Sequence, residues 1–123
     1  MENLDKEKIE RIVKSRKQAN AYFGKKSKVF QSFVKMEEAT YSDGVLGKLQ
    51  KELIAIGISV VINCESCMEW HIKQAIDVGA TENEIIEAIE VGIEMGGGPA
   101  TVSARFAMNV LEFYSQNIVE NKQ

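Results

Sequence analysis

The sequence predicts an all-α protein: one single-domain helical bundle over residues 1–123, with five to seven helices and no sheet. Three observations carry this expectation. Apolar residues recur at intervals of three and four along most of the chain. Proline occurs once, at Pro99. Strong turn signals are confined to a few short stretches, chiefly "YSDGVLG" and "GGGPA". A chain of 123 residues has the length of one domain. At that size roughly two-thirds of the surface of the unfolded chain is buried, enough for a core without staples.

The elements follow in order. "LDKEKIERIVKSRKQANAYFG" sets Leu4, Ile9, Ile12, Val13, Ala19, Tyr22 and Phe23 at mostly helical spacing, with a stop expected at Gly24. "SKVFQSFVKMEEA" repeats the pattern with Val29, Phe30, Phe33 and Val34. After the turn-rich joint comes Lys48 to Asn63, apolar nearly all round, as suits a buried helix. Its Leu53–Ile62 portion also suits a strand, and periodicity leaves both open. "CESCMEWHIKQAIDVG" is helical, with Gly79 as its C-terminal glycine. "TENEIIEAIEVGIEM" opens on a capping box between Thr81 and Glu84. Gly96, Gly97 and Gly98 form a tight turn, since the lysine-serine pattern and preceding strand of a phosphate loop are lacking. A last helix then starts with Pro99 in its first turn, and the tail 120–123 is expected to fray.

Composition narrows the function classes. Hydrophobic residues make up 45% and charged residues 27%, ordinary values for a soluble domain. The net charge of −3 offers no basic footprint for nucleic acid. The start "MENLDKEKIERIVK" lacks the apolar core of a secretory signal or an anchor. The longest apolar run, Leu53–Ile62, is about half the length that spans a bilayer. A cytoplasmic location without membrane contact is therefore expected. In that compartment two close cysteines point to catalysis or metal binding rather than to a structural bridge.

The chemistry concentrates in "INCESCMEWHIKQA", which holds both cysteines, Cys64 and Cys67, and the chain's one histidine, His71. If Asn63 caps the helix and Cys64 opens it, the three side chains share a face, with neighbouring Cβ atoms about 5–6 Å apart. A small adjustment then brings the sulfurs into bonding range. The positive end of the helix dipole lies beneath the thiols and favours the reactive thiolate. On the preceding helix, Val45, Leu49, Glu52, Ile56, Ser59 and Asn63 form a stripe in which Glu52 is the one acid. An inward carboxylate is costly unless partnered, and once partnered it can serve as a general base; a half-buried surface glutamate fits the same spacing. The residue types leave three arrangements open: a disulfide, a thiol redox centre, or a zinc site using Cys64, Cys67, His71 and Glu52. A c-type haem is excluded because Met68 follows Cys67.

Glu52, eleven residues, Cys64, two residues, Cys67, three residues, His71: this spacing resembles the signature of the alkyl hydroperoxidase D (AhpD)-like proteins of the carboxymuconolactone decarboxylase superfamily. "GGGPA" and the helix after it are similar to the family's later segment, so the resemblance spans about residues 46–114. It implies an all-α fold of the AhpD-like type and a homo-oligomer, trimer or hexamer. It also implies thiol-dependent peroxidase or disulfide oxidoreductase chemistry in antioxidant defence, without a cofactor or metal. The partners implied are a small hydroperoxide or disulfide substrate and a thiol reductant. By the resemblance Cys67 is the attacking thiol, Cys64 resolves it, and Glu52 with His71 forms a proton relay. Some members carry histidine between the cysteines; here Glu65 and Ser66 stand there, and an acid at that place opposes thiolate formation. The superfamily's decarboxylases generally lack the cysteine pair, which points away from the lactone reaction. A non-catalytic zinc-binding or redox-sensing module is the alternative for the same four residues.

Overall fold

The computed structural model describes the backbone of residues 1–122 and side chains through Ser115. The tail expected to fray, 120–123, lies outside the described side chains. Among the described residues there are six helices and no strand: α1 (Asn3–Lys26), α2 (Lys28–Thr40), α3 (Lys48–Val61), α4 (Glu65–Asp77), α5 (Glu82–Gly96) and α6 (Gly98–Lys122). The run Leu53–Ile62, open to either reading in the sequence, is helical within α3 up to Val61. No helix among the described residues is long and apolar enough to cross a membrane.

The core forms where four apolar stripes meet. α3 packs on α5 and α4, and α6 closes over α5 and α4. Ile56 and Val60 from α3, Met68 and Ile72 from α4, Ile85 and Ile89 from α5, and Ala107 and Val110 from α6 are all buried there. α3 and α5 approach closely at two glycines. A Cβ on Gly92 would stand 2.7 Å from the Gly57 carbonyl oxygen and 3.0 Å from Val60 Cβ. α1 lies on α4 and α6 and buries only Ile9. α2 buries no residue.

Helix ends show where local signals were sufficient and where they were not. The capping box forms as predicted: Thr81 Oγ1 accepts from the Glu84 N–H at 3.1 Å, and Glu84 Oε1 accepts from the Thr81 N–H at 2.8 Å. Gly79 at φ 97 and Gly97 at φ 74 sit in the left-handed region after α4 and α5. Two boundaries differ from expectation. α1 runs through Gly24 to Lys26, and Ser27 both ends it and caps α2 by accepting from the Phe30 N–H. A mid-helix glycine costs only about 1 kcal/mol relative to alanine, so Gly24 alone does not stop a helix. Asn63 does not cap α4. It takes φ 54, a conformation asparagine tolerates, and turns the chain so that Cys64 becomes the N-cap. Val45 and Asn63 of the predicted stripe therefore lie outside α3 and are exposed. Leu49 is half-buried, and Glu52, Ile56 and Ser59 face inward.

Candidate thiol and proton-relay site

Three residues, Ile62 to Cys64, separate α3 from α4, so the end of one helix and the start of the next are held together. The Cys64 N–H donates to the Ser59 carbonyl at 3.0 Å. Cys64 Sγ accepts from the Cys67 N–H at 3.2 Å, in the place of an N-cap oxygen. Cys64 and Cys67 are joined in a disulfide across a Cα–Cα distance of 5.2 Å. Both are partly exposed and Ser66 between them is exposed. Glu65 is held away by an ion pair of 2.8 Å with Lys8 of α1. Its charge is offset there, though both side chains are well exposed and such a pair is worth little in water.

Glu52 of α3 faces inward, 1% exposed. Its Oε1 lies 2.6 Å from His71 Nδ1 and its Oε2 accepts from Lys48 Nζ at 2.6 Å. An ionised carboxylate can only accept, so the hydrogen of a neutral imidazole sits on Nδ1 and Nε2 is left as the free acceptor. The Tyr41 ring lies 5.1 Å from the His71 ring, and Lys48 Nζ is 5.6 Å from the Tyr41 ring. Burial raises the pKa of the Tyr41 hydroxyl, and the Glu52 and Glu37 charges raise it further. It is a neutral phenol under ordinary conditions.

All four residues singled out in the sequence thus fall into two engaged pairs, Glu52 with His71 and Cys64 with Cys67. α4 links the pairs, since Cys67 and His71 are four apart on one helix face. The structure adds Lys48 and Tyr41, which no motif marked. Lys48 had one usable signal, its position four residues before an inward acid on a helix. Among the described residues, no group of three or more His, Cys, Asp and Glu side chains is arranged to hold a metal ion.

A second ionic cluster lies elsewhere on α4. Glu69 is fully buried. It pairs with Arg16 of α1 through one oxygen and accepts from the Tyr114 hydroxyl of α6 through the other. The Arg16 guanidinium also lies 4.8 Å over the Trp70 ring. Burial and the Glu69 hydrogen bond raise the pKa of Tyr114.

Comparison with known proteins agrees with the all-helical fold. Residues 27–109 match the carboxymuconolactone decarboxylase family. An uncharacterised protein of the cox locus of Paracoccus denitrificans is 37% identical over 98 residues, 76% of this chain and 88% of that protein. An uncharacterised protein of Cupriavidus necator is 36% identical over 77 residues, 63% of this chain and 68% of that one. Among solved structures, a carboxymuconolactone decarboxylase family protein of Legionella pneumophila superposes with a TM-score of 0.77 at 31% identity, over 89% of this chain and 96% of that one. A family member from Thermotoga maritima, for which a part in the antioxidative response has been suggested, gives a TM-score of 0.84 at 25% identity, over 92% of this chain and 97% of its own.

Proposed function

This chain belongs to the carboxymuconolactone decarboxylase family, and we propose that it is a thiol-dependent peroxidase or disulfide oxidoreductase cycling between a dithiol and the Cys64–Cys67 disulfide. The observation that carries this reading is that disulfide at the start of α4, the helix that also carries His71, paired with the buried Glu52. The suggested antioxidative part of the Thermotoga maritima relative supports it.

In the reduced protein the Cys67 thiol passes its proton towards His71 Nε2, while Glu52 holds Nδ1 and stabilises the imidazolium that forms. The Cys67 thiolate attacks the terminal oxygen of a hydroperoxide, ROOH. The O–O bond breaks, Cys67 becomes a sulfenic acid, and the alkoxide takes the imidazolium proton and leaves as ROH. The Cys64 thiol then attacks the sulfenic sulfur. Its proton leaves with the hydroxyl as water, and the disulfide closes. An external dithiol reduces the bond by exchange and is itself oxidised to a disulfide. Cys64 is three residues from Cys67, so the resolving step needs no large movement.

The reading includes self-association. Ile54, Ile58, Val61, Val91 and Met95 are exposed and line an apolar groove of about 700 Å³ between α3 and α5, the kind of patch a soluble protein covers with a partner. Light scattering at micromolar concentration should give a multiple of the 13.7 kDa chain mass; a strictly monomeric mass counts against it.

The test of the activity is consumption of hydrogen peroxide and of cumene hydroperoxide with dithiothreitol as reductant. Cys67→Ser should abolish turnover. Cys64→Ser should allow one oxidation event per chain and then stop. Wild-type protein that consumes neither peroxide, nor reduces a small disulfide at the expense of dithiothreitol, would refute the reading.

A further inference from the structure

Both oxygens of the buried Glu52 carboxylate are in use, and the second partner is a cation that the four-residue signature does not contain. Lys48 reaches Oε2 at 2.6 Å from the first turn of the same helix, while His71 holds Oε1 at 2.6 Å from α4. The lysine side chain is itself 31% exposed, so it connects an otherwise dry carboxylate to the surface.

We propose that Lys48 is a positioning residue of the relay: it fixes the Glu52 carboxylate against His71 and neutralises it, which keeps the imidazole unprotonated and able to accept the Cys67 proton. The inference rests on the thiol-redox reading for its catalytic meaning, although the three-residue contact stands without it. The physical reason is charge balance. An ionised carboxylate 1% exposed with only a neutral imidazole for partner is costly. Without Lys48 the inexpensive remedy is a proton on the imidazole, and an imidazolium cannot accept another. With Lys48 in place the carboxylate already has its counter-charge. The other groups facing the pair do not supply one. Tyr41, at the end of α2, is a neutral phenol, and Glu37 of the same helix is anionic. The Cys64–Cys67 bond is uncharged. Among the described residues, the buried side chains from α5 and α6 are apolar except Ser103 and Tyr114, and the Tyr114 hydroxyl is a neutral phenol that donates to Glu69.

His71 is the chain's one histidine, so its imidazole proton signal can be titrated by NMR without overlap. The experiment uses the oxidised protein, where neither sulfur titrates. Lys48→Met keeps the aliphatic stem and should move the His71 midpoint to higher pH by roughly half a unit to one unit, a three- to tenfold rise in proton affinity. Lys48→Arg should restore the wild-type midpoint. In a Glu52→Gln background, Lys48→Met should move it far less, because the charge it balances is gone. The proposal is overturned if Lys48→Met leaves the midpoint in place, or if the shift persists undiminished with Glu52→Gln. No peroxide enters the measurement, so failure of the proposed activity and failure of this inference are told apart.

Discussion

Glu52 and His71 are nineteen residues apart in the chain and 2.6 Å apart in the fold. The contact exists because α3 and α4 are joined by a short, sharply turned link, which lays an inward acid of one helix beside a histidine of the next. It places a carboxylate behind an imidazole on the helix whose first turn carries Cys67, as the proposed relay requires.

Removing either member should therefore have nearly the same effect as removing both. Glu52→Gln keeps the shape and discards the charge; His71→Asn discards the base. Each should slow thiol alkylation at neutral pH and peroxide consumption by about a hundred- to ten-thousand-fold. The double variant should be little slower than either single one, because the residues act as a unit. If the two losses multiply, the residues act independently and the relay is the wrong description.

The Glu69 cluster predicts an alkaline weakness. The pKa of Tyr114 in the folded protein is raised above its ordinary value of 10.0 by burial and by its bond to Glu69. Unfolding therefore releases a more acidic phenol. The stabilising contribution is complete below about pH 10 and is lost as pH rises from there towards the folded value. Denaturant titrations between pH 8 and pH 12 should show stability falling at the upper end. Tyr114→Phe should cost about 1–3 kcal/mol at pH 8, because it leaves one buried Glu69 oxygen unpaired. It should also flatten the alkaline decline. A variant whose decline matches the wild type would show that Tyr114 has no part in it.

Gly92 should be among the least replaceable positions outside the site. Gly92→Ala sets a methyl group 2.7 Å from the Gly57 carbonyl oxygen, a backbone atom that moves only if α3 shifts. Overpacking of this kind costs about 1–3 kcal/mol. For a domain of this size that lowers the melting temperature by several degrees, since each 1 kcal/mol is worth about 2–8 °C. Gly24→Ala is the contrast. It meets nothing within 4 Å inside α1 and should raise stability slightly through helix propensity. Equal melting temperatures for the two variants would mean that α3 and α5 are not in close contact at the glycines.

Much of this was legible in the chain because it depends on neighbours. The helix α5 announces itself in Thr81 and Glu84, which bond to each other's backbone. Cys64, Cys67 and His71 lie within a little over two turns of α4, so their spacing already describes their geometry. Glu52 was legible as an acid within an apolar stripe, although the stripe was drawn too long at both ends. What stayed hidden depends on the tertiary approach of segments far apart. Nothing in the local pattern of Glu69 indicates Arg16, 53 residues away, or Tyr114, 45 away. Glu69 reads as one more charged helix position until α1 and α6 are laid on α4. Asn63 misled for a different reason. Asparagine is favoured both as an N-cap and in the left-handed conformation, and only the path of the chain between α3 and α4 decides between them.

The short span of the disulfide has a bearing on how the molecule tolerates its own chemistry. Cross-links stiffen a protein chiefly by shrinking the freedom of the unfolded chain, and the effect grows with the length of chain enclosed. A bond between residues three apart encloses almost none, so on this basis it contributes only about 2 kcal/mol. The buried contacts among α3, α4, α5 and α6 do not include the sulfurs. In the proposed cycle, opening the bond would therefore lower stability by about 2 kcal/mol and leave the packed core among α3, α4, α5 and α6 in place, since neither cysteine belongs to it.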